Sequence, residues 1–362
     1  MSEKLILERF RFGLNLDDPW RYSGMKEPRS IIIPHLLKLE LADGERVGKV
    51  EEAIARALGR HSSTAEQECL ALANAMEKAS IDFARCWFPW RYFTGSGNFP
   101  MDLLVRVLTE RGKAIVPVIA CGYSRMLPEG IDVDREPSRY IEQAGQHARE
   151  LVRHYKQNVR VWQIENEPNW WEMHVAGGWR KGAAWLEKRF RYELLKMLND
   201  SVHEEDGNAV TIINLEADRG ISEVELKEYS SLCDYLGFDY YPNYKEAEPV
   251  DASAIRKADD MARLVGKNVI ISETGYPSGP GWLGYTADKQ AKYILSSCLN
   301  AFECMHVTAI GIWRYADTSW RSFPPQENHF GIFDELLNEK PAFRVYADTI
   351  AQLKGRSEFQ HK

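Results

Sequence analysis

The sequence lacks the features that mark several large classes of protein. No apolar run approaches the roughly 18 residues of a membrane-spanning helix, so no membrane span is expected. The N-terminus carries Lys4, Glu8, Arg9 and Arg11 with no apolar stretch behind them, and the expectation is a cytoplasmic chain without a secretory leader. Six cysteines (Cys69, Cys86, Cys121, Cys233, Cys298, Cys304) contain no CxxC pair. They sit in apolar segments and read as reduced core thiols rather than a disulfide frame or zinc site. HxH, HExxH and clustered Asp/His patterns are missing, so neither a catalytic metal nor another cofactor is expected. Positive charge is not in excess. With 46 Lys and Arg against 53 Asp and Glu, the net charge of -7 argues against a polyanionic partner such as nucleic acid. There is no low-complexity run and no segment that reads as a linker, so residues 1–362 are expected to form one domain.

What the chain does contain is a repeated unit: a short β-rich run, then an amphipathic helix. The expected strands are Phe10–Leu16, Ile81–Trp87, Ala114–Ala120, Val159–Glu165, Val210–Leu215, Tyr235–Tyr241, Asn268–Glu273 and Thr308–Trp313. Apolar residues at three- and four-residue spacing predict helices over Thr64–Lys78, Met101–Arg111, Pro137–Tyr155, Lys181–His203, Ala287–Phe302 and Ala342–Leu353. The first opens on Ser63-Thr64-Ala65-Glu66, a capping-box pattern. Strands alternating with helices imply a parallel sheet, and eight is the number that closes a (β/α)₈ (TIM) barrel. The expected fold class is therefore α/β. Two stretches are too long for ordinary connections: Asp17 to about Arg60 after strand 1, with a short helix near Lys49–Leu58, and Asp317–Glu339 after strand 8. Loops after barrel strands build the active site, so long ones suggest a walled groove or pocket.

Two strand ends carry chemistry. Val161-Trp162-Gln163-Ile164-Glu165-Asn166-Glu167-Pro168-Asn169 closes strand 4, and Val269-Ile270-Ile271-Ser272-Glu273-Thr274-Gly275 closes strand 7. These strands lie across the barrel mouth from each other, so two carboxyls can face one ligand. Acetal hydrolysis needs such a pair, one to protonate the leaving oxygen and one to attack the anomeric carbon or activate water. A single glutamate at a strand end is read more simply as a helix cap or the partner of an arginine. The pair, on opposed strands, favours catalysis.

These motifs resemble the clan A glycoside hydrolases. Asn166-Glu167-Pro168 and Glu273 match the clan's strands 4 and 7. Asp234–Pro242 is similar to its strand 6 with a tyrosine near the nucleophile, and Arg85 and Trp313 fall at the ends of strands 2 and 8. His329–Asp334 and Lys340–Phe343 resemble the clan's final loop and helix. The resemblance covers nearly the whole chain. It implies a retaining β-glycoside hydrolase with Glu167 as acid/base, Asn166 as 2-hydroxyl ligand, Glu273 as nucleophile and Trp313 as a sugar platform. The family within the clan stays open. Glu273–Ser278 resembles families 17 and 53, and Asn166-Glu167-Pro168 with Trp313 resembles family 5, but strand 3 ends Ala120-Cys121-Gly122-Tyr123 where some family 5 enzymes carry a histidine.

Roles follow for the neighbours. Arg85 and Tyr241 are expected to hold the Glu273 carboxylate, with Asp239 on the same strand face as Tyr241. Glu167 needs a raised pKa, which burial and the Glu273 charge supply. Glu165 is expected to lie deeper and pair with an arginine. Trp170, Trp282, Trp171 and Trp87 are candidate stacking residues, with packing an equal alternative. His174, Trp320, Asn328 and His329 lie in loops within reach of a ligand. The expected partner is a carbohydrate. A carbohydrate-binding barrel that has lost catalysis, and a barrel enzyme of unrelated chemistry, are the competing readings.

Overall fold

A computed structural model describes residues 9–16, 19–23, 64–93, 99–123, 126–128, 130–176, 180, 182–318 and 324–360. Eight parallel strands close into a barrel in sequence order: β1 Arg11–Leu16, β2 Phe83–Pro89, β3 Ala114–Ala120, β4 Val161–Ile164, β5 Val210–Glu216, β6 Tyr235–Tyr240, β7 Val269–Thr274 and β8 Val307–Ile312. A helix follows each: α1 Ala65–Lys78, α2 Asp102–Glu110, α3 Pro137–Tyr155, α4 Lys188–Glu205, α5 Glu223–Ser230, α6 Lys257–Val265, α7 Ala287–Glu303 and α8 Pro341–Gln360. All eight expected strands are present; β3 has its expected bounds and the others shift by one or two residues at one or both ends, and β2 runs on to Pro89, so Arg85 lies within it rather than at its end. The expected helix near Lys49–Leu58 lies outside the described residues.

The local chemistry explains most boundaries. Thr64 caps α1, and Gln67 completes the capping box, one residue later than Ser63–Glu66 suggests. Pro137 opens α3 at a position where its missing N–H would be unbonded anyway. Gly266 ends α6 at φ 66, a left-handed conformation a glycine adopts without penalty. The expectation of one helix from Lys181 is corrected: a 3-10 turn spans Ala183–Leu186 and α4 begins at Lys188.

The barrel interior is layered. At its base Phe83, Val116, Val161, Ile212, Ile270 and Ala309 pack together. Two residues further along the strands the filling turns polar: Asn15, Arg85, Gln163, Asn214 and Ser272 are all buried. Glycines on neighbouring strands make the room. A Cβ on Gly237 would fall 2.2 Å from Ser272 Oγ, and one on Gly311 would fall 2.5 Å from the Ser272 carbonyl. Buried polar groups must find partners, and this layer is where the functional residues are tied together.

Candidate active site

A register skip aims Glu273. On β6 and β7, Gly237 pairs with Ile270 and Phe238 with Ile271, but Asp239 pairs with Glu273. Regular alternation would set Ser272 opposite Asp239 and turn Glu273 outward. The skipped residue brings Glu273 in phase with inward-facing Asp239, the re-aiming that a β-bulge performs. Glu273 Oε1 then meets Arg85 Nη1 at 2.7 Å, and Tyr241 Oη donates to Oε2 at 2.7 Å. Both expected contacts are present, an ion pair on one oxygen and a hydrogen bond on the other.

Arg85 spans the two strand ends. Besides its ion pair with Glu273, its guanidinium donates to Asn166 Oδ1 at 2.6 Å, Gln163 Oε1 at 2.5 Å and Asn15 Oδ1 at 3.0 Å. A buried arginine with this many acceptors has little freedom, so it fixes the nucleophile candidate relative to Asn166.

Beyond Ile164 the chain leaves the strand abruptly. Glu165 and Glu167 both adopt left-handed backbone, at φ 58 and φ 44. Conformations of this kind cost about 1–3 kcal/mol and persist only where surroundings impose them. Glu165 turns into a closed cage. Its Oε1 accepts the Cys121 N–H at 2.7 Å and its Oε2 lies 3.2 Å from Arg180, the arginine partner expected for it. Arg180 is held over Tyr123 and Trp185 and donates to the Asn166 carbonyl at 2.6 Å. Burial raises the Glu165 pKa despite the arginine.

Glu167 is 7% exposed. Burial pushes its carboxyl well above the usual range, and the charges of Glu273 and then Glu216 push it further. Its Oε2 lies 3.4 Å from His174 Nε2, which is also 3.3 Å from Tyr123 Oη. Burial, with Arg180 and Arg219, lowers the His174 pKa to about 2, so the imidazole is neutral. Asp239, fully buried, is driven up by burial, Glu273 and Glu167 in turn. The result is Glu273, paired with Arg85, near two carboxyls, Glu167 and Asp239, that favour the protonated form.

The aromatic candidates divide. Trp313 follows β8, is half-buried, and its backbone N–H donates to the Thr274 carbonyl at 2.8 Å, next to Glu273 in the chain. Trp170 is half-buried with the Arg219 guanidinium 4.6 Å from its ring and the His174 ring 5.3 Å away. One of its faces is thus covered by a cation. Trp171 is covered likewise by Arg191 at 4.1 Å. Trp87 is buried edge-on against Tyr123. Trp282 stands 76% exposed in the turn after β7. Asn328 bonds to Pro325 within its own loop, and the His329 carbonyl accepts from Ser278, so both brace the loops after β7 and β8. Trp320 lies outside the described residues. Sequence reasoning missed Gln163, Asn214, Asn15, Tyr123 and Arg180. The signal for the first three was inward parity, one or two residues before a strand end.

Among the described residues no group of three or more His, Cys, Asp or Glu side chains is placed to hold a metal ion. No described helix is long and apolar enough to cross a membrane.

No family model matches the chain, and no curated protein matches it. Solved structures do. A GH5_18 enzyme of Streptomyces cattleya in complex with Manβ1-4GlcNAc superposes with TM-score 0.65 at 13% identity, over 78% of this chain and 75% of that one. A GH5_18 protein of Bifidobacterium longum subsp. infantis gives 0.63 at 15%, over 95% and 79%. A family 39 glycoside hydrolase of Bacteroides cellulosilyticus WH2 gives 0.59 at 15%, over 78% and 60%. At these identities the likeness establishes the fold: a (β/α)₈ barrel of the shape those glycoside hydrolases share.

Proposed function

We propose that the chain is a single catalytic domain that hydrolyses β-glycosidic bonds with retention of configuration. The observation that carries this is the asymmetry of two carboxyls. Glu273 is paired with Arg85 and Tyr241, whereas Glu167 is buried and disposed to stay protonated. A double displacement needs one carboxylate and one carboxylic acid at the start. Glu273 attacks the anomeric carbon as Glu167 protonates the departing oxygen, leaving a glycosyl ester on Glu273. Glu167, now ionised, takes a proton from water as that water displaces the ester. Asn166 is the proposed ligand of the 2-hydroxyl, a contact that strengthens in the transition state. Its Oδ1 is occupied by Arg85 while its Nδ2 donates to Tyr123 at 3.2 Å, leaving a second amide hydrogen for the sugar. Trp313 is the proposed platform, with Trp170 and Trp282 as outer contacts.

The sugar-bound barrels of similar shape support a carbohydrate substrate, and Manβ1-4GlcNAc, bound by one of them, is a sensible first disaccharide to test. The experiment is a panel of aryl β-glycosides and β-linked oligosaccharides, with the first-formed anomer read by proton NMR. A β-anomer appearing first supports the proposal. An α-anomer would replace retention by inversion, and binding without turnover across the panel would favour the inactive barrel.

A further inference from the structure

Four hydrogen bonds meet on Asn214, a fully buried side chain on β5. Its Nδ2 donates to Asn166 Oδ1 at 2.7 Å and to Asp239 Oδ2 at 2.5 Å. Its Oδ1 accepts the Glu167 backbone N–H at 3.1 Å and Gln163 Nε2 at 2.6 Å. An amide has two donor hydrogens and two acceptor lone pairs, so this side chain is saturated.

The orientation of that amide follows from groups that can only donate. Asn166 Oδ1 faces Arg85, which has no acceptor, so it must be the oxygen, and Asn214 must donate to it. At the other end the Glu167 backbone N–H can only donate, so Asn214 must present its oxygen there. Turning the amide over would set oxygen against Asn166 Oδ1 and NH₂ against an N–H. No other arrangement satisfies both ends.

The bond to the Glu167 N–H has a second consequence. Glu167 sits at φ 44, outside the strand, with its N–H on this side chain rather than on a neighbouring strand's carbonyl. Such a backbone needs an external constraint. Asn214 supplies it, and Asp239 and Gln163 hold Asn214 in turn.

We infer that Asn214 is a positioning residue that fixes the backbone of the acid/base Glu167 and the amide of Asn166 together, through one side chain on β5. This rests on the assignment of Glu167 as acid/base. Asn214 touches neither the substrate nor the reacting atoms. Asn166 keeps its bonds to Arg85 and Tyr123 when Asn214 is lost, so the loss should fall mainly on proton donation by Glu167; a misplacement of about 1 Å can cost on the order of 100-fold in rate.

The test has two arms. In the first, hydrogen exchange of the Glu167 amide is read by NMR, which needs no turnover. Slow exchange is expected in the native protein, where the Asn214 oxygen faces that N–H. Much faster exchange is expected in Asn214→Ala, with β-ladder amides unchanged; Asn214→Ser serves if the Ala variant does not fold. A Glu167 amide that exchanges like an exposed loop amide in the native protein, or equally slowly in the truncated variant, overturns the inference. In the second arm, Asn214→Ala should lose on the order of 100-fold in kcat/KM on β-disaccharides while dinitrophenyl β-glycosides, which leave without a proton, form the glycosyl-enzyme almost as before. Equal losses on both substrates, with a lowered Tm, mean a purely structural residue. If the native protein hydrolyses no β-glycoside, the hydrolase reading fails and the exchange arm alone decides the role of Asn214.

Discussion

Tyr241 donates its hydroxyl to Glu273 Oε2 at 2.7 Å, while Arg85 meets the other oxygen at the same distance. The two contacts fix the side chain's rotation and, on the proposed mechanism, set which oxygen attacks.

Replacing Tyr241 by Phe removes one of these restraints and little else. A hydrogen bond to a charged group is worth about 1.5–3 kcal/mol. Turnover should fall roughly 10- to 100-fold with KM little changed, because the contact orients the nucleophile rather than the sugar. Steady-state kinetics decide it, and an unchanged kcat would place Tyr241 in the wall.

Glu167 should make the protein less stable as pH rises. Its folded pKa is raised above the unfolded value, so between the two the native state binds more protons. That contribution is full below the ordinary carboxyl pKa and is lost as pH climbs through the folded one. Glu165 and Asp239 act in the same direction, and Glu216, pushed up to about 7, does so between its ordinary 4.5 and that value. Glu167→Gln removes one of these terms. The variant should be more stable than the native protein at neutral pH, with a smaller loss between pH 5 and 8, as read by urea denaturation. A variant less stable at pH 8 than the native protein would contradict this.

Arg180 and Glu165 form a buried pair whose partners do not substitute for one another. Arg180→Met strands a buried carboxyl and should destabilise by about 3–5 kcal/mol. The double variant Glu165→Gln, Arg180→Met should recover much of that loss. Denaturant midpoints of the two single variants and the double close the cycle, and strict additivity would deny the coupling.

Trp313 and Trp282 should differ in kind. Trp282 is 76% exposed, so its Ala variant should keep stability within about 0.5 kcal/mol and lose affinity only for longer oligosaccharides. Trp313→Ala should weaken binding of every substrate, by a few kcal/mol at most. Calorimetric titration of short and long β-oligosaccharides separates the two. Untouched binding with reduced stability would mean that Trp313 only packs.

Much of this was legible in the sequence because barrel strands announce themselves twice, by β-rich runs and by the chemistry at their ends. Glu167, Glu273, Tyr241 and Trp313 fall at or just past such ends, whereas Arg85 is the third of the seven residues of β2 and reaches the mouth by its length. The skip at Ser272 was not legible: strand alternation alone turns Glu273 outward, and only the pairing with Asp239 shows otherwise. Asn214 and Gln163 were hidden for a related reason. A polar residue mid-strand reads as solvent-facing until the sheet closes and its parity points inside. Helix α5 was missed because it is short and rich in charge, with few apolar positions to set a period, and its helical form owes more to packing on the barrel than to pattern. Helix α6 does carry apolar residues at helical spacing (Ala258, Met261, Ala262, Val265) and was legible, but its nine residues are few for a period to stand out.

The central claim is that Glu273 is the nucleophile and Glu167 the acid/base, and azide tests it through the stereochemistry of one product. With Glu273→Gly, azide fills the vacated space and attacks an activated β-glycoside directly, so the product should be the inverted α-glycosyl azide. With Glu167→Ala, a dinitrophenyl β-glycoside still forms the ester on Glu273, and azide should release it as the β-glycosyl azide. Proton NMR of the two products distinguishes them by anomeric coupling. An α product from the Glu273 variant and a β product from the Glu167 variant is the predicted result; the same anomer from both, or the two exchanged, contradicts the account.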